Sequence, residues 1–212
     1  MGIAFRCLTV GPLASNCYII WDADTKHAAI IDPGGDRDRI ADAVSSLGMD
    51  VNYILLTHGH PDHTFHTGDL ARDYGAEIAM HESDVPMLSN GLGIAEMFYD
   101  PATRVNFTAS RMLRDGDTIR LGDSQIKVRH TPGHSEGGLC FVTDAGVFCG
   151  DTIFAGSVGR TDFPGGSMER SINSIRTQIL TLPDETPLYP GHGPPTTVAA
   201  ERKSNPYLRI AD

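Results

Sequence analysis

The chain has 212 residues, of which 40% are hydrophobic and 21% are charged, as is ordinary for a globular protein. Its formal net charge of −10 leaves no basic surface to neutralise the phosphates of nucleic acid, so we expect no nucleic-acid partner. No apolar run approaches the ~20 residues of a membrane span, and the first residues lack a charged leader. We therefore expect a cytoplasmic protein without a membrane partner.

No linker-like or low-complexity segment divides the sequence, so we expect a single domain over residues 1–212. The cysteines each stand alone inside an apolar run, without the close pairing of zinc ribbons or redox motifs. We expect reduced core residues at all four positions, Cys7, Cys17, Cys140 and Cys149.

The first half of the chain predicts a small antiparallel meander followed by helix and strand units. Turn signals separate short apolar runs at 3–10, 17–21 and 28–31, as between consecutive hairpin strands. Residues 36–47 carry apolar side chains at helical spacing, and Gly48 follows as a C-cap. A strand at 53–56, a helix near 67–74 and a strand at 78–80 come next. The irregular stretch 81–106 is interpreted as a mobile flap or as short helices.

The second half repeats this theme. Its apolar runs predict strands at 118–121, 125–129, 138–142 and 147–149, followed by a glycine-rich loop at 156–166. Helical spacing at 168–180, a short strand at 188–189 and a last helix near 197–203 complete the chain. Because strands with helices between them occur twice, the sequence favours helices flanking two sheets.

The segment Thr-His-Gly-His-Pro-Asp-His at 57–63 follows a predicted strand directly and contains three imidazoles and a carboxylate. Gly59 and Pro61 oppose a regular helix and favour a tight loop, from which these side chains can turn to one side. A solvated turn in which Asp62 caps the next helix is the alternative, but capping requires none of the histidines. The segment therefore predicts a metal site.

Three further turns of small residues follow apolar strands, and each carries one side chain of a ligand type. Together with the first loop they supply more ligands than one tetrahedral ion uses: His58, His60, Asp62, His63, His134, Asp151 and His192. Two ions that share a carboxylate would use this whole set, and Asp151 is the natural bridge. Nitrogen and oxygen ligands without a thiolate fit zinc, iron or manganese.

Other polar residues near these motifs have simpler interpretations. His66 could approach the site from the helix after His63, but a surface position is the simpler expectation. Asp32 could orient a ligand histidine or form the turn before Pro33. Three histidines have no ligand partners nearby in sequence and are interpreted as structural or solvated: His27, His81 and His130.

The glycine-rich loop at 156–166 lies close in sequence to Asp151 and contains three candidate substrate contacts, Arg160, Asp162 and Phe163. Such loops often carry binding residues. An internal salt bridge between Arg160 and Asp162 is the alternative interpretation.

In order and context, the metal-ligand motifs resemble those of the metallo-β-lactamase superfamily, and the resemblance covers nearly the whole chain. Further segments look like those of glyoxalase II-like hydrolases: Ile31-Asp32-Pro33-Gly34-Gly35, the loop at 159–166, and the ending Glu201-x-x-x-Asn205-Pro206-Tyr207. The resemblance implies an α+β fold, an αββα sandwich of two mixed sheets flanked by helices, with the metals at one edge of the sheets.

The resemblance also implies how the ligands are divided between two divalent ions, for which we expect zinc, with iron or manganese as alternatives. The sets are His58, His60 and His134 for one ion and Asp62, His63 and His192 for the other. Asp151 and a hydroxide would bridge the ions, and Asp62 would orient the hydroxide.

The sequence departs from the family pattern in two places. Two-domain glyoxalase II enzymes have a longer helical C-terminal region that supplies part of the glutathione site, whereas this chain ends 20 residues after His192. We therefore expect a single domain without that long helical substrate domain. The loop after His63 reads Thr-Phe-His-Thr-Gly where small residues are more usual, so the local pocket could be altered.

These features predict a binuclear metallohydrolase that acts on a thioester, such as hydroxyacylglutathione (S-lactoylglutathione) or a related small acyl thioester. No protein nucleophile is required, because two ions acidify a bound water. The sequence leaves the acyl group, the metal and the oligomeric state open.

Two alternatives remain. Persulfide dioxygenases share the implied fold and the Gly-Arg-Thr-Asp loop but use a single iron, which here would lie on His58, His134 and Asp151. Against this class, His192 is followed by Gly-Pro rather than by the Asp-Tyr that is typical of that branch. A non-catalytic metal-binding protein with the same fold is the second alternative, and an activity screen on thioesters would separate it.

Overall fold

Two six-stranded sheets organise residues 2–88 and 107–209, the parts of the chain that the computed structural model describes. The first sheet contains six strands side by side in chain order: β1 (Ile3–Val10), β2 (Ser15–Asp22), β3 (His27–Ile31), β4 (Asp50–Leu55), β5 (Glu77–Met80) and β6 (Arg111–Met112). Strands β1 to β3 are antiparallel, which confirms the predicted meander. Strands β3 to β6 are parallel.

The second sheet has the order β14-β13-β10-β9-β8-β7. Its strands are β7 (Thr118–Leu121), β8 (Ser124–His130), β9 (Leu139–Thr143), β10 (Gly146–Gly150), β13 (Pro187–Pro190) and β14 (Thr196–Thr197). Only the β10–β13 pairing is parallel, so both sheets are mixed, as expected. A small hairpin, β11 (Ile153–Phe154) and β12 (Ser157–Val158), follows β10, and its second strand lies within the glycine-rich loop predicted at 156–166.

The helices are α1 (Arg37–Leu47), α2 (Pro61–Thr64), α3 (Thr67–Tyr74), α4 (Met168–Ser174) and α5 (Val198–Ser204). The short α2 differs from the expected loop, because Pro61 stands in the first turn, where proline lacks only an N–H that would be unpaired anyway. The helix expected at 168–180 changes after α4 into a π-helical turn at Ile175–Ile179. Short 3-10 helices occur at Glu82–Leu88 and Pro206–Leu208.

Three hydrophobic clusters separate four layers of secondary structure, in the order helices, sheet, sheet and helices. The cluster between the two sheets contains inward-facing residues of both, such as Ile20, Leu55, Phe141 and Phe148. A second cluster packs α1 and α3 on the outer face of the first sheet, and a third packs the α4 and α5 side on the second sheet. This arrangement is the predicted αββα sandwich, in which each sheet buries both faces.

The outcome differs for two expectations from the sequence, those for the cysteines and for the stretch 81–106. Cys17, Cys140 and Cys149 are buried thiols, but Cys7 is exposed on β1, so the prediction that all four cysteines lie in the core was wrong at that position. Cys7 lies in the middle of β1, the edge strand of the first sheet, where Arg6 and Cys7 are both exposed, so it is the edge position that leaves the thiol accessible. Residues 82–88 form one of the short helices expected within 81–106, and residues 89–106 lie outside the described residues.

None of the helices in the described residues is both long and apolar enough to span a membrane.

The contact between the sheets depends on aromatic packing around Phe148, which is completely buried against Phe5, Tyr18 and Tyr189. We predict that Phe148→Ala lowers the free energy of unfolding by about 3–5 kcal/mol, because the transfer term and the cavity term add. Urea denaturation of metal-free protein measures this change. The matched control is Met112→Ala, since Met112 is 40% exposed. An equal loss in both variants would contradict the assignment of Phe148 to the core.

Candidate metal centre

The seven candidate ligands come together at one edge of the sandwich, because each follows the carboxyl end of a strand. The loop after β4 carries four of them, and the loops after β8, β10 and β13 carry His134, Asp151 and His192. Two of those strands, β10 and β13, are parallel neighbours, so their ends lie side by side. The ligands are therefore held by rigid elements of both sheets.

The first ligand group consists of His58, His60 and His134, whose ligand atoms all lie within 4.8 Å of one another. Within it, His60 Nδ1 and His134 Nε2 are only 2.9 Å apart. His58 and His134 are buried, and the three rings meet edge to face with centroids 4.6–4.8 Å apart. Three converging imidazoles with little access to water are a typical zinc-type ligand set.

A chain of hydrogen bonds fixes the tautomer of His58. The Thr57 hydroxyl donates to Asp32 Oδ2 over 2.6 Å, so its oxygen is free to accept from His58 Nδ1, 3.0 Å away. The proton of His58 is thereby assigned to Nδ1, and Nε2 presents its lone pair. Among the described residues, this Nε2 is buried without a hydrogen-bond partner. An unpaired buried nitrogen of this kind fits a metal ligand.

Two other histidines are oriented in the same way. His134 Nδ1 donates to the carbonyl oxygen of Arg160 over 2.7 Å, and His63 Nδ1 donates to Asp32 Oδ2 over 3.0 Å. In both rings Nε2 is left to face the cluster. Asp32 therefore orients a candidate ligand histidine, as one of the two interpretations of this residue from the sequence expected.

The second ligand group consists of Asp62, His63 and His192. His192 Nε2 lies 3.2 Å from Asp62 Oδ2 and 3.3 Å from His63 Nε2. His63 Nε2 is also 3.4 Å from Asp62 Oδ2. Ser15 on β2 donates to this same carboxylate oxygen over 3.0 Å, which holds the Asp62 side chain in place.

Asp151 lies between the two groups. Its Oδ2 is 3.6 Å from His134 Nε2 in the first group and 3.7 Å from His192 Nε2 in the second. Its Oδ1 is 3.5 Å from His63 Nε2, and this buried oxygen has no hydrogen-bond partner among the described residues. The donor set and the unpaired atoms at His58 and Asp151 fit two metal ions that share one carboxylate.

A third possible group, Asp32, His58 and His63, is better explained as a support for the ligands. The carboxylate of Asp32 already accepts hydrogen bonds from the backbone and hydroxyl of Thr57 and from His63. A carboxylate that is engaged by three donors is typical of the residues that hold metal ligands from behind.

The electrostatics of the metal-free protein differ between the two groups. Burial lowers the pKa of His58 well below its ordinary value, and the positive charge of the neighbouring His63 lowers it further. Burial, together with His134, lowers the pKa of His60 to about 4. Both rings are therefore neutral near pH 7 and ready to bind a cation.

In the second group, the carboxylates overcome the effect of burial. Burial disfavours the charged form of His63, but Asp62 and Asp151 raise its pKa well above the ordinary value. Burial acts in the same direction on His192, where the hydrogen bond with Asp62 and the charge of Asp151 raise the pKa. Asp62 is itself buried, yet the charge of His63 keeps its pKa below the usual range. Protons thus occupy the second group when no metal does.

Asp84 is a buried residue of the site that the sequence analysis missed. Its Oδ2 accepts from the backbone N–H of Gly59 at 3.1 Å and from the hydroxyl of Ser135 at 2.7 Å, and its Oδ1 accepts from the N–H of Gly137 at 2.6 Å. The carboxylate therefore ties the loop of His58 and His60 to the loop of His134. Asp84 belongs to no motif, and it lies within the stretch that was interpreted as irregular.

A cavity of about 910 Å³ opens over the cluster. Arg160 and Phe163 line it, whereas Asp162 forms a bidentate pair with Arg160 at 2.7 Å for both contacts. The internal salt bridge considered from the sequence is therefore present, and Phe163 is left as the aromatic wall next to His60, with ring centroids 4.9 Å apart.

The remaining histidines lie outside the ligand groups. His66 is half-buried at the start of α3 and is 3.4 Å from Asp69. His27 contacts Asn52 and Asp50. His81 and His130 stack on each other in parallel with centroids 4.2 Å apart, which supports their structural interpretation.

Comparison with known proteins finds one matching family model, the metallo-beta-lactamase superfamily, over residues 10–192. The chain is also 36% identical to hydroxyacylglutathione hydrolase GloC of Haemophilus influenzae. That similarity covers 95% of this chain and 96% of GloC.

Two solved structures are similar along most of their length. TTHA1623 in a di-iron-bound form is 34% identical, with a TM-score of 0.85 over 96% of this chain and 100% of that one. ETHE1 from Myxococcus xanthus is 30% identical, with a TM-score of 0.81 over 96% of this chain and 83% of that one.

The different protonation of the two groups predicts different pH dependence of metal binding. Because a raised pKa keeps a proton bound to higher pH, affinity at Asp62, His63 and His192 should weaken as the pH falls through the raised pKa values of His63 and His192. Affinity at the group containing His58 and His60 should change little, since these rings are already neutral. Calorimetric zinc titrations in buffers of different ionisation enthalpy separate the two steps. The same proton release in both steps would contradict this assignment.

The position of Asp84 predicts a coupled loss of stability and metal affinity. Asp84→Asn replaces one acceptor oxygen by a donor that faces buried donors, so metal-free protein should lose roughly 2 kcal/mol or more of unfolding free energy. Zinc affinity at the group of His60 and His134 should fall as well, as measured by competition with a chelator. Glu82→Gln is the control, because Glu82 is an exposed neighbour on the same short helix. Unchanged affinity in Asp84→Asn would show that the two loops hold their positions without this link.

Proposed function

The chain belongs to the metallo-β-lactamase superfamily, and on that premise we propose that it is a binuclear metallohydrolase of small acyl thioesters. The observation that carries the proposal is the pair of adjoining ligand groups on either side of Asp151. Hydroxyacylglutathione is the candidate substrate, since the similar GloC carries that substrate in its name.

We propose zinc in both positions, with iron or manganese as alternatives, because the ligands are imidazoles and carboxylates without a thiolate. The di-iron form of TTHA1623 supports a pair of ions and leaves the choice of metal open. Bound ions supply Lewis acidity toward a carbonyl oxygen and lower the pKa of water toward ~7.

The side chains of the protein would orient the attacking water and fix the histidine rings. Asp62 is fixed by the hydroxyl of Ser15 at 3.0 Å and lies at the edge of the cavity. Its carboxylate would accept a hydrogen bond from the attacking water and so direct the lone pair of that water toward the substrate. The acceptors behind the histidines, which are the hydroxyl oxygen of Thr57, the carbonyl oxygen of Arg160 and the carboxylate of Asp32, keep the rings from turning as charge develops.

The cavity walls fit an acyl thioester. Apolar side chains form much of the surface around the metal cluster, among them Leu13, Pro86, Met87, Phe154, Val158 and Phe163. Such walls exclude water from the reacting carbonyl and accept an alkyl chain or the sulfur of a thiol. We propose Phe163 as a contact of the substrate, since it lies beside His60.

A cysteine nucleophile is not part of this mechanism. Burial raises the pKa of the Cys17 and Cys149 thiols well above its ordinary value, so both are poor nucleophiles near neutral pH. None of the described residues that line the cavity is a cysteine.

A dioxygenase is the alternative, and the similarity to ETHE1 leaves it open. A single iron would then use His58, His134 and Asp151, whereas His63 and His192 would serve no ion. A further alternative is a metal-binding protein without turnover, for which a panel of thioesters would give no hydrolysis.

Replacement of His63 or His192 distinguishes these functions. In the hydrolase, either substitution by Ala removes a ligand of the second group, so kcat for thioester hydrolysis should fall roughly a hundredfold or more. Wild-type protein should contain close to two ions per chain and should consume negligible oxygen with a persulfide. Thioester assays, elemental analysis and an oxygen electrode provide the readouts.

His27→Ala is the matched control, because His27 contacts Asp50 and Asn52 away from the cluster. Its activity and metal content should equal those of the wild type. Persulfide-dependent oxygen uptake that survives both the His63 and the His192 substitutions would assign the protein to the dioxygenase class instead.

A further inference from the structure

Glu136 stands in a rigid turn on the wall of the cavity. It follows Ser135 and precedes Gly137, both of which Asp84 holds by hydrogen bonds of 2.7 Å and 2.6 Å. The Glu136 carbonyl contacts His130 Nε2 at 3.0 Å. Its side chain packs over Gly165, where an added Cβ would lie 2.9 Å from Glu136 Cγ. The backbone is therefore fixed on both sides, while the residue itself is exposed and lines the cavity.

The carboxylate of Glu136 has no ion-pair or hydrogen-bond partner among the described residues. The cation on the opposite loop, Arg160, is already neutralised by its bidentate pair with Asp162 and stacks on Phe163 with its Cζ 4.2 Å from the ring centroid. The other acidic wall residue outside the metal cluster, Asp84, is buried and accepts three hydrogen bonds. The unpaired charge that this wall offers to a ligand is therefore negative.

Apolar and aromatic groups share the cavity wall with this charge. Phe163, Pro164 and Val158 line the same cavity as Glu136. A carboxylate beside aromatic and aliphatic surface is suited to an ammonium group with attached methylene or methyl groups, since the charge meets the carboxylate and the carbon atoms meet the wall. An anionic group in the same position would meet like charge.

We propose that Glu136 determines specificity by selecting thioesters whose thiol part carries an ammonium group. This inference rests on the proposed thioesterase function. It specifies the thiol part of the substrate by the ammonium group that this part carries. Acyl-glutathione belongs to this class through its amino group, although it also carries two carboxylates, so the inference concerns the position of the ammonium group and not the net charge of the thiol. Acyl-coenzyme A does not, because its thiol arm is uncharged and its distal part is polyanionic.

Three thioacetates that differ mainly in charge test the inference. Acetylthiocholine is cationic, S-(3,3-dimethylbutyl) thioacetate is its uncharged counterpart of the same shape, and S-acetyl-3-mercaptopropionate is anionic. Wild-type holoenzyme should rank them by kcat/KM in that order. In Glu136→Gln the ratio of cationic to uncharged ester should fall about three- to tenfold, mainly through KM, because one exposed charge is lost. In Glu136→Lys the anionic ester should overtake the cationic one, and added salt should reduce both effects.

Glu185→Lys is the matched control, since Glu185 is exposed and is not part of the cavity lining, and it should keep the wild-type ranking. Hydrolysis of all three esters at rates that are independent of charge, or a ranking that the Glu136 variants do not alter, would overturn the inference while leaving the thioesterase function intact. If no ester of the panel, acyl-glutathione included, is hydrolysed, the proposed function fails and the inference fails with it.

Discussion

The buried carboxylate of Asp32 is the interaction on which the metal centre depends. It accepts the N–H and the hydroxyl of Thr57 at 2.8 Å and 2.6 Å and the Nδ1–H of His63 at 3.0 Å. Through Thr57 it also determines which nitrogen of His58 is free. The side chain of Asp32 thus determines the orientation of one histidine in each ligand group. Its own negative charge is compensated by three hydrogen-bond donors in a site that excludes water.

The site also requires that both sheets be packed together. Strand β2 of the first sheet supports the His192 loop of the second sheet, where Asn16 donates to the carbonyl oxygens of Pro190 and Gly193. At the centre of this contact Gly191 is necessary, since an added Cβ would lie 2.2 Å from Asp151 Oδ1. The geometry of the second ligand group is therefore a consequence of sheet packing, and loosening of the aromatic contact between the sheets would disturb it.

Much of the fold was predictable because its signals are local. Apolar runs and turn residues identified strands β1 to β3, and helical spacing identified α1 and α3. Signals failed where neighbours in space decide the conformation. The start of α2 at Pro61 lies within a motif whose proline and glycine oppose a helix, and two-residue strands such as β6 and β14 exist only because a longer strand pairs with them. The exposed position of Cys7 likewise depends on the place of β1 at the edge of the sheet.

The sequence by itself determined the types of the candidate ligands, their order and their places at strand ends. Metal-ligand residues and turn-forming residues can be recognised within short segments, without knowledge of the tertiary structure. The tertiary structure decided which residues stand behind the ligands. Asp84 and Ser15 belong to no local motif, and they reach Gly59 and Asp62 only after the chain has folded. It also decided that Arg160 pairs with Asp162, whereas Glu136 has no partner among residues 2–88 and 107–209. Charge pairing acts over a few ångströms in space, and such distances bear no fixed relation to separation along the chain.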